Sequence, residues 1–201
     1  QQYSQMIVDY TRRCEEISNG IRAFAHGSSG EKNFYDVTAI VREVVQNSIR
    51  LGHCRDRSIV FEEHAPCEAW CCGGEIRQVV VNLIRNALQA VSPGGGGKSA
   101  LTESVDQIDL TFADNGSGMT PETLQKLFDP FFTTKEVGQG TGLGLSFARK
   151  IIESHGGTIS ASSEGLGKGS TFRISLQRLP TGSGPTGSIC MCRWDSRCLR
   201  S

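Results

Sequence analysis

The chain has 201 residues and a balanced charge, with 21 Lys and Arg against 21 Asp and Glu. This balance provides no electrostatic basis for binding nucleic acid or an anionic membrane surface, and no apolar run approaches the roughly 20 residues of a membrane span. The length is sufficient for one domain with a hydrophobic core and some appendages. No signal peptide opens the sequence. Because the first residue is Gln rather than Met, we expect a fragment of a longer protein.

The chain contains eight cysteines at scattered positions. This spacing is not that of a small secreted disulfide framework, so we expect reduced thiols and a cytoplasmic location, even if the parent protein is membrane-anchored. His64 with Cys67, Cys71 and Cys72 could hold zinc, but the spacing differs from the usual paired C-x-x-C arrangements. A short strand over 68–72 is the favoured interpretation.

An apolar stripe with a seven-residue repeat occupies the N-terminal region. Its alternating spacing of four and three predicts a helix over 1–27 that packs against a partner helix. An intermolecular or hairpin bundle is favoured over packing on the same domain. A Gly-Ser-Ser-Gly sequence at 27–30 predicts a hinge. The stripe consists of Tyr3, Ile7, Tyr10, Cys14, Ile17, Ile21 and Phe24.

Helices and mostly antiparallel strands alternate between residues 31 and 179, which predicts a two-layer α/β sandwich. Asp36 or Thr38 is placed to cap the first helix, and Thr120 to cap the third. The predicted helices are 37–51, 75–91, 121–128 and the segment that ends before Gly156. The predicted strands are 58–62, 68–72, 107–113, 158–161 and 170–176.

Two segments of the sequence are rich in glycine, and they predict different structures. Four glycines alternate over 138–144 and lead directly into a helix, so backbone N–H groups and the helix dipole could bind phosphate there, although such a turn is also an ordinary helix start. The sequence Gly-Gly-Gly-Gly-Lys-Ser at 94–99 lacks the first glycine of a Walker loop and does not follow a strand. We therefore predict a flexible turn at 94–99.

Polar residues at two further places suggest a nucleotide site. Asn82 and Asn86 lie one turn apart on the predicted polar face of helix 75–91, where either solvation or magnesium binding by amide oxygens explains them. Asp114 opens the sequence Asp-Asn-Gly-Ser-Gly, which is either an ordinary turn or a carboxylate that accepts the adenine N6–H and repels guanine. Gly116 and Gly118 would let the backbone approach the base.

Three aromatic residues within five positions form the remaining segment. We predict that Phe128 and at least one of Phe131 and Phe132 are buried in the core. The polar residues 133–135 would then form a tethered flap that closes over phosphates.

In this order, the segments at 82–87, 114–118, 128–132 and 140–145 closely resemble the N, first glycine, F and second glycine boxes of sensor histidine kinases, which belong to the GHKL ATPase superfamily with its Bergerat-type fold. The sequences that follow Asn86 and Phe131 look most like the nitrogen-regulation branch. The resemblance implies an ATP-binding catalytic domain that uses Mg²⁺. It also implies transfer of the γ-phosphoryl group of ATP to a histidine outside this fragment, for relay to a response-regulator receiver aspartate.

The same resemblance implies roles for individual residues. Asn86 occupies the magnesium position and Asn82 lies near the metal and phosphates, so both are expected to be catalytic. Asp114 matches the adenine-binding aspartate, and Gly116 and Gly118 match the turn beneath the base. The positions implied at the phosphates are Thr134, Lys135, Gly140, Thr141, Gly142, Leu143 and Gly144, with Lys135 at the terminal phosphate and counted as catalytic.

Asn82 stands where hydrolytic members of the superfamily carry a glutamate that activates water. An amide is no general base, so the resemblance disfavours ATP hydrolysis and favours phosphoryl transfer. The helix 1–27 resembles the second helix of the family's dimerisation hairpin, which implies a homodimer through this helix. Because the first helix and its histidine are missing, the chain is expected to bind ATP without labelling itself. The histidines that do not match an acceptor-histidine box are His26, His53, His64 and His155.

Two alternative functions remain open at this point. One is a protein serine kinase or anti-sigma regulator with the same nucleotide fold, and the other is a non-catalytic ATP-binding dimerisation module. Residues 180–188 have the composition of a linker. For the cysteine-containing remainder to residue 201 we predict a disordered or non-native tail rather than a metal-binding or partner-binding peptide.

Overall fold

The structure is a computed structural model that describes residues 30–51, 54, 56–62, 65–103, 107–135 and 140–178, together with Thr11 and Ser18. The stripe over 1–27, Gly138 and the tail over 180–201 lie outside the described residues, apart from those two positions. The described part contains four helices and seven strands. The helices are α1 (Val37–Arg50), α2 (Gly73–Ala90), α3 (Pro121–Lys126) and α4 (Gly144–Ser154). The strands are β1 (Asn33–Asp36), β2 (Ser58–Glu62), β3 (Glu68–Cys71), β4 (Gly96–Glu103), β5 (Gln107–Asp114), β6 (Thr158–Ser162) and β7 (Ser170–Gln177).

Five of the strands form one sheet in the order β2-β4-β5-β7-β6. Strands β2 and β4 are parallel, and the other three pairs are antiparallel. Strands β1 and β3 form a separate antiparallel pair. Helix α1 contacts β2, α2 contacts β4 and β5, and α4 contacts β6, while α2 also contacts α1 and α4. The predicted two-layer α/β arrangement with mostly antiparallel strands is therefore confirmed.

The core lies between the sheet and the helices. Alternate residues of β5 and β7 face inward opposite one another, because side chains along a strand point to opposite faces. Helix α2 covers them with an apolar face whose side chains are also almost inaccessible to solvent. The facing pairs of the sheet are Ile108 with Leu176, Leu110 with Ile174, and Phe112 with Phe172.

Local side-chain contacts fix several helix ends where the sequence predicts them. The Asp36 carboxylate accepts the backbone N–H of Ala39 at 3.2 Å and so caps α1. The Thr120 hydroxyl accepts the backbone N–H of Thr123 at 3.2 Å and caps α3. After α4, Gly156 adopts a φ of 71°, which favours glycine and ends the helix.

Strand β4 corrects the prediction of a flexible turn at 94–99. From Gly96 onward the segment pairs with β2 on one side and β5 on the other. Glycine has a low strand propensity, but backbone hydrogen bonds to two neighbouring strands override it. A Cβ on Gly96 would lie 2.3 Å from the Ser58 hydroxyl, so the strands approach closely at this point.

The aromatic segment also differs from its prediction, because none of the three rings is buried. Phe128 and Phe132 are partly exposed, and Phe131 is 74% exposed. Leu127 packs on the core instead, while the Phe128 ring lies 5.7 Å from the guanidinium carbon of Arg149. The aromatic residues thus lie at the margin of the domain.

The described cysteines behave as structural thiols. Cys54, Cys71 and Cys72 form no disulfide, and burial raises the pKa of Cys71 to about 12. Residue His64 of the zinc alternative lies outside the described residues. Within the described ranges, no group of three or more His, Cys, Asp or Glu side chains is arranged to hold a metal ion.

His155 joins the end of α4 to the start of α2. Its Nδ1–H donates to the Ile151 carbonyl at 2.7 Å, and its Nε2 accepts the backbone N–H of Cys72, the residue that precedes α2, at 2.9 Å. Burial lowers the pKa of His155; the Ile151 hydrogen bond and the Glu75 carboxylate oppose the shift, and Lys32 adds to it. The ring is therefore neutral, buried and engaged at both nitrogens.

This geometry predicts a pH-dependent contribution of His155 to stability. Its folded-state pKa lies below the ordinary value of about 6.5, so the contribution is complete above that pH and is lost as pH falls. His155→Gln should lower the free energy of unfolding at pH 7 by about 1–3 kcal/mol. It should also flatten the dependence of that free energy on pH below 6.5, measured by urea unfolding. Parallel pH profiles for the variant and the parent would contradict this prediction.

Candidate functional site

A cavity of about 760 Å³ opens beside α2 and the start of α4. Its walls come from segments that are far apart in the sequence, namely α2, the turn after β5, α3, residues 132–135, the glycine-rich turn and the loop between β6 and β7. The fold thus brings together parts of all four segments noted in the sequence. The predicted site residues that line the cavity are Asn86, Asp114, Gly118, Thr134, Lys135, Gly140, Thr141, Gly142 and Gly144.

Three predicted site residues do not line the cavity and lie behind its wall. Leu143 is 6% exposed and directly precedes α4. Gly116 packs against helix α2, since a Cβ there would lie 2.5 Å from the Ala90 carbonyl oxygen. Asn82 is 3% exposed. These residues support the wall of the cavity and do not form its surface.

Asn82 is the clearest departure from the predicted polar face of α2. Its Nδ2 donates to the Gly144 carbonyl at 3.2 Å, and its Oδ1 accepts from the Arg85 guanidinium at 3.4 Å. The first turn of α4 covers this position, which periodicity along α2 cannot reveal. Asn86, one turn later, lies in the cavity wall and is partly exposed.

Two amide oxygens meet a cation in the cavity. The Lys135 ammonium lies 3.4 Å from Asn86 Oδ1 and also donates to Gln89 Oε1. Both amides belong to α2 and point at one positive charge. Neutral oxygen donors of this kind suit a hard cation such as Mg²⁺, so the residues present fit the metal implied by the resemblance.

Asp114 occupies a different chemical environment in the same cavity. Burial raises the pKa of its carboxyl group, although backbone hydrogen bonds from Gly116 and Ser170 oppose the shift. The Gly116 N–H donates to Asp114 Oδ1 at 2.9 Å. The carboxylate can accept a further hydrogen bond from a ligand beside an apolar surface. The apolar side chains of the cavity wall are Ala90, Met119, Leu127, Phe132, Leu145, Leu166 and Phe172.

The glycine-rich turn and the aromatic segment are locked together at the cavity edge. Gly142 has a φ of 66°, and a Cβ there would lie 2.4 Å from the carbonyl carbon of Phe131. Phe131 itself has a φ of 67°, and its N–H donates to the Gly142 carbonyl at 2.9 Å. A non-glycine residue in the left-handed region carries backbone strain, which is frequent at functional sites.

Some cavity residues were missed by the sequence analysis as site residues. Gln89 follows Asn86 by three residues on α2 and was assigned no role. Ser170 lies opposite Asp114 in the register of β5 and β7, so it could have been found only by knowing that strand pairing. Leu166 gave no signal except its two flanking glycines.

No described helix is both long and apolar enough to cross a membrane.

Comparisons with known sequences agree with the geometry. The profile of the family described as histidine kinase-, DNA gyrase B-, and HSP90-like ATPase matches residues 73–180. The chain is 43% identical over 170 residues to the sensor protein FixL of Bradyrhizobium diazoefficiens, covering 82% of this chain and 33% of that protein. It is 32% identical over 179 residues to sporulation kinase E of Bacillus subtilis, covering 87% of this chain and 23% of that protein.

Solved structures show the same similarity. The nucleotide-free catalytic domain of histidine kinase ThkA has 29% identity and a TM-score of 0.66, covering 74% of this chain and 96% of that one. ThkA in complex with the response regulator TrrA has 25% identity and a TM-score of 0.73, covering 90% of this chain and 52% of that one. The chain spans between 13% and 40% of the length of the curated relatives it matches.

The contact between Gly142 and Phe131 generates a prediction. Gly142→Ala should lower stability by at least about 1–2 kcal/mol, because the left-handed conformation is costly for alanine and the new Cβ overlaps the Phe131 backbone. It should also weaken ligand binding in the cavity. Thermal unfolding and calorimetry measure the two effects.

Gly74→Ala is the matched control, since a Cβ at that position of α2 has no neighbour within 4 Å. Alanine should leave stability unchanged or raise it by up to about 1 kcal/mol. Equal effects of the two substitutions would show that the contact does not shape the site.

Proposed function

Because residues 73–180 match that profile, the chain belongs to the histidine kinase-, DNA gyrase B- and HSP90-like ATPase family, and we propose that it is the ATP-binding catalytic domain of a sensor histidine kinase. The reaction is transfer of the ATP γ-phosphoryl group to a histidine outside this fragment. The observation that carries the proposal is the single cavity that holds the Asp114 carboxylate and the Asn86 amide together with the glycine-rich turn.

Asp114 selects the base in this proposal. Its carboxylate accepts the exocyclic N6–H of adenine, whereas guanine presents an oxygen at that edge and is repelled. Gly118 lines the same cavity, so the ring lies against the backbone of the turn there. The partly buried setting of the carboxylate makes an unsatisfied partner costly, which strengthens discrimination.

The other end of the site holds the phosphates. Asn86 is the proposed magnesium ligand, and Gln89 supplies a second amide oxygen nearby; the metal would neutralise phosphate charge. Lys135, now on those two oxygens, moves to the terminal phosphate when the nucleotide binds. The backbone N–H groups from Gly140 to Gly144 and the N-terminus of α4 receive the remaining negative charge.

The chemical step needs positioning rather than a protein nucleophile in this domain. A nitrogen of the acceptor imidazole attacks the γ-phosphorus, a P–N bond forms, the bond to the bridging oxygen breaks and ADP leaves. The imidazole loses its N–H proton to solvent. A receiver aspartate of a response regulator then attacks the phosphorus, the P–N bond breaks, and the imidazole leaves and regains a proton from solvent, which gives an acyl phosphate.

The partners follow from the relatives and the sequence. ThkA has been crystallised with a response regulator, and we propose a partner of the same kind for this chain. The stripe over 1–27, which lies outside the described residues, is proposed to dimerise the protein. A cytoplasmic position and a nitrogen-regulation-like branch are proposed on the sequence alone.

Asp114→Asn should weaken the binding of adenine nucleotides while it raises the stability of the fold. Without the carboxylate, affinity for adenine nucleotides should fall about tenfold to 100-fold in calorimetry. The melting temperature at pH 7 should rise, because burial raises the pKa of Asp114 and so penalises its ionised form in the folded state. This gain in stability is complete above the raised pKa of the folded state. It disappears below the ordinary aspartate pKa, where the carboxyl group is protonated in both the folded and the unfolded chain.

Asp109→Asn, on the same strand, serves as the control for that variant. Asp109 does not line the cavity, so its substitution should change neither nucleotide affinity nor the selectivity for adenine over guanine. Undiminished ATP binding by Asp114→Asn, or equal binding of GTP by the parent chain, would contradict the proposed reading of the base.

Phosphoryl transfer is tested directly with labelled ATP, Mg²⁺ and a separately purified helical hairpin that carries the acceptor histidine. We expect acid-labile, base-stable label on the hairpin and none on this chain. Asn86→Ala should reduce the transfer rate at least about 100-fold, because the metal ligand is lost. Asn47→Ala on α1, outside the cavity, should leave it unchanged.

The same experiment distinguishes the alternatives. Base-labile label on a serine would favour the protein serine kinase. Nucleotide binding without label on any histidine hairpin, including that of the parent protein, would favour a non-catalytic module. Steady release of inorganic phosphate at the rate of the transfer would point to hydrolysis instead.

A further inference from the structure

An exposed leucine in the loop between β6 and β7 lines the nucleotide cavity. Leu166 is 71% exposed, and it lines the same cavity as Asp114, Met119 and Ser170. We propose that Leu166 covers the face of the bound nucleobase and so fixes the plane in which Asp114 reads its edge. This inference rests on the proposed function and names a positioning residue for it.

The loop that carries Leu166 is fixed to the turn that carries Asp114. The Gly167 N–H donates to the Ser117 carbonyl at 2.7 Å, and the Gly169 N–H donates to the Gly116 carbonyl at 3.2 Å. Both hydrogen bonds are made by residues just C-terminal to Leu166. They connect the backbone of its loop to the backbone of the turn that follows β5. The position of Leu166 is therefore tied to the base-reading turn.

A hydroxyl group completes this connection. Ser163 Oγ accepts the Met119 N–H at 3.0 Å and donates to the Gly169 carbonyl at 2.6 Å, so it closes the loop upon itself and holds the far end of the turn. A Cβ on Gly118 would lie 2.0 Å from the Gly165 carbonyl oxygen. The two segments are packed too tightly for side chains at their contact.

The conformation beside Leu166 also requires glycine. Gly165 and Gly167 have φ values of 127° and 73°, in the region that L side chains rarely adopt. The chain therefore turns sharply on both sides of a single apolar residue. A leucine held in this way presents its side chain at the cavity mouth, where burial by a ligand is favourable.

Exposure alone does not support this assignment, because single apolar residues on a surface are ordinary. Leu51, after α1, is 66% exposed and does not line the cavity. Leu166 differs in its place on the cavity wall and in the loop that fixes it. The pair therefore provides a matched comparison between two exposed leucines.

Contact with the face of a base has a specific signature. An apolar side chain on the ring does not distinguish donors from acceptors at the edge, and it does not touch the phosphates. Loss of Leu166 should therefore weaken ATP, ADP and adenosine by the same factor. It should leave the ratio of ATP to GTP affinity unchanged, unlike loss of Asp114.

The test uses the full chain and two substitutions at each leucine. Leu166→Ser should weaken ADP and adenosine about three- to tenfold in calorimetry, with an unchanged melting temperature, while Leu51→Ser has no effect on affinity. Leu166→Trp should place an indole on the base, so adenosine should quench its fluorescence and inorganic tripolyphosphate should not. Leu51→Trp contains the same number of tryptophans and should show no quenching by adenosine.

The outcomes separate this inference from the proposed function. If the parent chain binds adenine nucleotides but Leu166→Ser binds them equally well, the role of Leu166 is overturned and the proposed function stands. Weakening of ATP but not adenosine, or an unquenched indole at 166, also overturns it. If the parent chain binds no adenine nucleotide, both proposals fail.

Discussion

The fold has to keep one carboxylate at the wall of a partly apolar cavity, and the residues around Asp114 satisfy this constraint. Burial alone raises the pKa of this group and disfavours its charge. The tight turn that follows β5 returns the Gly116 N–H to the carboxylate at 2.9 Å, which offsets part of that cost. A carboxylate has about four acceptor positions, so the backbone hydrogen bonds from Gly116 and Ser170 leave Asp114 able to accept another from a ligand. Stability is lower at this position than a neutral residue would allow, a common feature of functional sites.

The same turn can hold Asp114 only because another loop supports it. Gly169 approaches the Asp114 carbonyl oxygen so closely that a Cβ there would lie 1.9 Å away. Ser163 bonds both segments, and the β5–β7 register places Ser170 opposite Asp114. Asp114 and the loop that carries Leu166 therefore form one packed unit. A substitution at a glycine of this contact should displace both Asp114 and Leu166, since neither segment can shift alone.

Much of the fold could be predicted because its signals are local. The Asp36 and Thr120 caps and the β6–β7 hairpin follow from neighbouring residues in the sequence. Strand β4 could not be predicted from its glycines, because its stability comes from pairing on both sides with β2 and β5. The three aromatic rings at 128–132 suggested burial in the core. Which apolar residues of this segment are buried depends, however, on the path of the chain after α3. For the site, nine of the twelve residues implied by the resemblance line the cavity. How deep each residue lies could not be predicted, because it depends on the packing of α4 on α2.

Asn82 and Asn86 show how the depth of a residue in the cavity depends on helix packing, and their difference bears on the reaction. Both are asparagines on α2, yet α4 covers the first and leaves the second in the cavity wall. Asn82 donates to the Gly144 carbonyl, so its position requires a hydrogen-bond donor. A glutamate there would lose the hydrogen bond to the Gly144 carbonyl and place a buried carboxylate against that oxygen, a cost set against the attraction of the nearby Arg85 guanidinium. In this arrangement the packing of α4 favours an amide where hydrolytic relatives need a base, and the residue that secures the glycine-rich turn to α2 is poorly suited to activating water. The arrangement that supports the turn is thus consistent with transfer to an external nucleophile.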